Sequence, residues 1–174
     1  MFNLNFRKLL FNGIWNSGNS GSDTPIFNVD TTVVDTAGGN VTVGSSSSTS
    51  TAQFWFASLI HSLNRMVTNA ASAAVGQSYF KLGTGTTTPT EEDYDIETEA
   101  SDLVINQVTQ TTTATFGKAY NLNITNTGSS AIILSEVVQV LKLYSNNEIA
   151  ISRTLVSVSF EPGETKTIMV DISI

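Results

Sequence analysis

The sequence predicts a mainly β fold: an antiparallel β-sandwich with one N-terminal amphipathic helix and an extended N-terminal arm. Three observations predict it. From Ser78 to Ile174 apolar residues alternate with polar ones, as in Leu122/Ile124, Val156/Val158/Phe160 and Ile168/Val170/Ile172/Ile174. A period of two marks strands with one buried face. Turn-forming clusters divide this region at Asn126-Thr127-Gly128-Ser129, Ser145-Asn146-Asn147 and Glu161-Pro162-Gly163-Glu164. Polarity is mostly uncharged, with 24 Thr, 21 Ser and 15 Asn, and only 13% of residues are charged. Soluble proteins average roughly 25% charged residues, and Thr suits the outer face of a strand.

The elements follow in chain order. Residues 1–50 read as an extended arm. Its first fifteen residues carry Phe2, Phe6, Leu9, Phe11, Ile14 and Trp15, apolar anchors that dock either on this chain's own core or on a neighbouring subunit. Arg7 and Lys8 follow three apolar residues, and the next apolar run stops at Asn12-Gly13, so the start does not read as a signal peptide. Asn16 to Asp23 and Gly44 to Ser50 have linker composition. Between them, Ile26 to Val43 reads as two short strands joined by Ala37-Gly38-Gly39-Asn40, a turn that tolerates positive φ.

Residues 51–77 hold the predicted helix, over Thr51 to Val75. Phe56, Leu59, Ile60, Leu63, Met66, Val67, Ala70 and Ala74 recur at three- and four-residue steps, with Ser50 or Thr51 and Gly76 in capping positions. Residues 78–174 form the β domain. Its predicted strands are Tyr79–Leu82, Leu103–Phe116, Ala119–Asn126, Ala131–Tyr144, Glu148–Phe160 and Thr165–Ile174.

Composition also narrows function. The net charge of −7, from 8 Lys+Arg against 15 Asp+Glu, offers no basic face for nucleic acid. The absence of Cys removes thiolate chemistry and disulfides, and a lone His61 removes multi-histidine metal sites and nearly all triads. No window approaches the ~18 apolar residues of a membrane span. The sequence therefore predicts no enzyme, no cofactor, no nucleic-acid partner and no membrane partner.

Three motifs bear on chemistry. Gly83-Thr84-Gly85-Thr86-Thr87-Thr88-Pro89-Thr90 lacks the Lys and the helix of a phosphate loop, so its glycines read as turn residues needing special backbone angles. Glu91, Glu92, Asp93, Asp95, Glu97 and Glu99 crowd acid into nine residues. The spacing is not that of an EF-hand loop, and the run reads as a solvated charged edge that discourages strand aggregation. Glu136 and Arg153 each interrupt an apolar strand. If those strands pair through the turn at 145–147, the two charges form a structural ion pair.

The order of these pieces resembles small tailed-phage virion proteins. Lys81-Leu82-Gly83-Thr84-Gly85-Thr86-Thr87-Thr88-Pro89-Thr90 is similar to their "VGTGTTAPT" segment. Asn126-Thr127-Gly128, Ile133-Leu134-Ser135-Glu136-Val137, Ile151-Ser152-Arg153-Thr154 and Glu161-Pro162-Gly163-Glu164-Thr165 follow in the family's order, with Val138 where the pattern has Gly. The resemblance covers residues 78–174. It implies a β-sandwich located in the virion, as a head-decoration, head–tail, tail or fibre subunit. The expected partners are copies of itself and capsid, portal or tail components. The alternative is a receptor- or glycan-binding fibre module, for which Tyr94 and Tyr144 are the candidate aromatics.

Overall fold

A computed structural model describes Leu4, Arg7, Lys8 and residues 31–43, 66–74, 76–112, 117–143 and 147–173. Within these the chain is mainly β, and every strand pairing is antiparallel. Strands β1 (Thr31–Val34) and β2 (Asn40–Val43) form a hairpin. Its turn is built on Asp35, whose Oδ1 accepts from the amides of Ala37 at 3.0 Å and Gly39 at 2.7 Å. Gly38 sits at φ 81°, which L side chains rarely adopt.

Two three-stranded sheets follow. One has the order β3-β6-β7, from β3 (Ser78–Gly83), β6 (Ile132–Lys142) and β7 (Glu148–Phe160). The other has the order β4-β5-β8, from β4 (Leu103–Thr112), β5 (Gly117–Asn126) and β8 (Thr165–Ser173). The two sheets share one apolar cluster. Phe80, Leu82, Leu134, Val137 and Phe160 enter it from the first sheet, and Leu103, Ile105, Tyr120, Leu122, Ile124, Ile168 and Val170 from the second. Phe80 meets Tyr120 edge to face, with ring centroids 5.3 Å apart.

The first sheet also buries part of its opposite face. Tyr79, Val138, Val140 and Ala150 form a second cluster there with Ala73, and Val67, Ala70 and Ile96 lie against it. Strand β6 is thus covered on both sides, and Glu136 to Leu141 are all buried. An irregularity makes this possible. Leu134 pairs with Val158 but Glu136 pairs with Leu155, so β7 supplies one extra residue. Leu134 and Val137 both reach the shared core, and Glu136 is turned to the side of Val138 and Val140. Val138 is an ordinary strand residue, paired with Lys81 and Arg153.

Three sequence expectations need correction or placement. The described end of the predicted helix is not α-helical: Met66 bridges Ser78, and Ala70–Ser72 make one 3₁₀ turn. The cause is competing hydrogen bonds. The Val67 amide donates to the Ser78 carbonyl, and the Asn69 side chain accepts from the Ser72 amide at 2.9 Å. Residues 51–65 lie outside the described residues, as do the anchors Phe2, Phe6, Leu9, Phe11, Ile14 and Trp15. The described arm residues touch this same chain. Leu4 donates to the Glu91 carbonyl, Arg7 pairs with the Glu91 carboxylate, and Lys8 donates to the Thr32 carbonyl.

Candidate functional site

Among the described residues, the outer face of the β3-β6-β7 sheet carries the densest charge chemistry. Glu136 on β6 is fully buried and Arg153 on β7 is 5% exposed. Arg153 Nε donates to Glu136 Oε2 at 2.7 Å. The other end of the guanidinium reaches the acidic run, where Nη1 donates to Asp93 at 2.8 Å and Nη2 to Glu97 at 3.0 Å. Glu136 in turn holds the backbone of the same segment. Its Oε1 accepts from the amides of Gly85 at 3.1 Å, Glu97 at 3.0 Å and Thr98 at 3.0 Å. Such charge-assisted bonds are the strong class of hydrogen bond.

This geometry explains the two glycines. Neither Gly83 nor Gly85 has positive φ, so the expectation of special backbone angles is wrong. Space is the reason instead. A Cβ on Gly83 would lie 2.5 Å from Glu136 Oε1 and 2.6 Å from the Thr98 carbonyl. A Cβ on Gly85 would collide with the same carboxylate oxygen and approach Glu97 Cβ at 2.5 Å. Both positions are Gly because the buried carboxylate occupies the space a side chain would need.

The acidic run is not a freely solvated edge. Asp93 and Glu97 face Arg153, and Asp95 pairs with Lys81 of β3 at 2.8 Å. The run folds back over the sheet because β3 and β7 present cations there. Thr residues of the preceding loop complete the carboxylates' shells: Thr87 donates to Glu97 through its amide and hydroxyl, and Thr90 does the same to Asp93. Burial pushes the Asp93 carboxyl up, but the bonds from Arg153 and Thr90 outweigh it and hold the group below the usual aspartate value. The Thr87 hydroxyl and amide, and then Arg153, hold Glu97 below the usual glutamate value. Burial lowers the Arg153 pKa, but Asp93 and Glu136 more than offset it, so the guanidinium stays charged.

The remaining motif residues also do structural work. Asn126 is buried; its Nδ2 donates to the carbonyls of Ser130 and Phe160, and its Oδ1 accepts from the Gly128 amide. Asp102 fills the space beside Gly128. In the turn at 161–164, Glu164 accepts from the Glu161 amide and pairs with Lys166, and Gly163 takes φ 75°.

The structure therefore brings Glu136 and Arg153 together. It adds Asp93, Glu97, Gly83 and Gly85, which the sequence reading did not join to them. A usable signal was present, since two charges inside apolar strands need further partners, and the nearest crowd of acids is the run at 91–99. A cleft of about 390 Å³ opens beside the network, lined by Thr87, Glu92, Tyr94, Asp95, Ile96 and Arg153 among others. Tyr94 is 46% exposed there, while Tyr144 lies outside the described residues. Among the described residues no group of three or more His, Cys, Asp or Glu is arranged to hold a metal ion. No known protein family, curated protein or solved structure matches this chain.

Proposed function

We propose that this chain is a non-enzymatic structural subunit of a tailed-phage virion. In this reading it is a β-sandwich that assembles with copies of itself and with capsid, portal or tail components. One observation carries the reading. Each segment behind the resemblance supplies a contact that holds the fold: Gly83 and Gly85 fit around Glu136, Arg153 ties β7 to the acidic run, Asn126 organises its turn, and Glu164 closes the last one. Contacts that fix one shape in this way suit a repeated building block. The carboxylates at 93, 95 and 97 are each tied to a cation, a poor arrangement for general acid–base work, which needs a group free to take up and release a proton near the working pH.

The sandwich reading is supported by the cluster to which both sheets contribute and by the aromatic contact between Phe80 and Tyr120. The arm fits the same role. Apolar anchors separated by Gly/Ser hinges gain contact area when a partner orders them. Deleting residues 1–22 is expected to leave the β domain folded, as read by circular dichroism, while abolishing incorporation into particles. Normal incorporation of the truncated protein would overturn the role given to the arm.

Tyr94 favours a second reading, a glycan-binding module. An exposed aromatic ring beside carboxylates and an arginine in an open cleft suits sugar stacking and hydroxyl recognition. Screening against host surface polysaccharides tests it. Binding that Tyr94→Ala removes would support it, and silence across a broad panel would reject it.

A further inference from the structure

Residues 84–99 lie on the outer face of the β3-β6-β7 sheet with little ladder pairing of their own. The Gly83↔Glu99 bridge closes their base, and the Thr84 amide donates to the Thr98 carbonyl. The segment is held down from below by three side chains of the sheet: Glu136 through the amides of residues 85, 97 and 98, Arg153 through Asp93 and Glu97, and Lys81 through Asp95. The charges are divided unevenly. The segment contributes Asp93, Asp95 and Glu97, and the sheet contributes both cations together with Glu136. Beneath it, Ile96 rests on the cluster of Tyr79, Val138, Val140 and Ala150.

We propose that residues 84–99 are an acid-labile cover, which detaches as a unit from the sheet and leaves both sheets folded. Protonating Asp93 and Glu97 would remove the attraction that Arg153 exerts on the segment. Arg153 would keep Glu136 as its partner, so the sheet retains a paired charge after the cover leaves. The other charged groups facing the segment are Glu99 and Glu92 within it, Glu91 with Arg7 of the arm, and Glu148, which accepts from the Tyr79 hydroxyl. Asp93 and Glu97 both titrate below their usual values. Their stabilisation is therefore complete above the ordinary carboxylate range and is lost as pH falls below that range through their lowered values. Opening would strip Ile96 from the face it covers and present that apolar surface to solvent or to another protein.

Amide hydrogen exchange read by NMR tests this. Between pH 7 and about pH 2.5, below the ordinary carboxylate range, protection factors at Gly85, Glu97 and Thr98 should fall at least tenfold, while those of Leu122, Ile124 and Val140 hold. The doubly substituted Asp93→Asn, Glu97→Gln protein should show the same selective loss at pH 7. If that protein fails to fold, the pH series on the unaltered chain decides the matter. Loss of protection in cover and sheets together would overturn the proposal, because the segment would then belong to the global fold. Retained protection of the three amides at about pH 2.5 would overturn it equally.

Discussion

Replacing Glu136 with alanine tests the charge network at its centre. The carboxylate accepts from four donors: the amides of Gly85, Glu97 and Thr98, and Arg153 Nε. Hydrogen bonds to charged groups are worth about 1.5–3 kcal/mol each, so four sum to about 6–12 kcal/mol. That sum is an upper bound, because Arg153 keeps Asp93 and Glu97. Breaking a buried ion pair from one side costs about 3–5 kcal/mol, and we expect Glu136→Ala to fall in that range. For a chain of this size, with about 2–4 °C lost per kcal/mol, the melting temperature should drop by about 6–20 °C. Glu136→Gln is the sharper control. Both carboxylate oxygens face donors, so in either orientation the amide NH₂ meets N–H groups, and we expect a loss of about 2–3 kcal/mol. The paired substitution Glu136→Leu, Arg153→Met should not restore stability, since three backbone amides still lack an acceptor. Urea unfolding followed by circular dichroism gives each value. If Glu136→Gln stays within about 0.5 kcal/mol of the parent, the size ordinary for an inconsequential substitution, the network does not hold the fold as argued.

Four further outcomes follow from the same geometry. Gly85→Ala should cost about 1–3 kcal/mol in urea unfolding, because its Cβ meets the Glu136 carboxylate and Glu97. Gly163→Ala should cost only about 1–2 kcal/mol, from its φ of 75° alone, since nothing crowds that position. Leu122→Ala, at a fully buried site of the shared core, should cost about 2–5 kcal/mol in the same assay. Tyr120 is pushed up to about 12 by burial, so its phenol should resist ionisation in ultraviolet titration until about that pH. Its contribution to stability is present below the ordinary tyrosine value and is lost as pH rises from there to about 12.

Much of the β domain was legible because alternation is a local property. The ends of β7 at Glu148 and Phe160 and the start of β8 at Thr165 coincide with turn residues that punctuate the chain. The hairpin at 31–43 was legible for the same reason, its turn being fixed by Asp35 and two glycines. The helix expectation failed over Met66 to Ala74 because its three- and four-residue spacing said nothing of Ser78, whose carbonyl takes the Val67 amide. The irregularity opposite Ser135 was also hidden, although it turns Glu136 away from the shared core. Strict alternation would have placed that carboxylate on the same side as Leu134. The purpose of Gly83 and Gly85 was illegible for a related reason: the atom that excludes their side chains comes from a residue some fifty positions away.

Density for this chain within an intact phage particle would decide whether it is a virion subunit. A virion subunit should appear as many symmetry-related copies, each with its β3-β6-β7 and β4-β5-β8 sheets packed among neighbours and residues 1–50 reaching an adjacent subunit. Purified particles that lack the chain altogether, or that carry it only as a detachable enzyme with a free active site, would rule out a structural role in the virion.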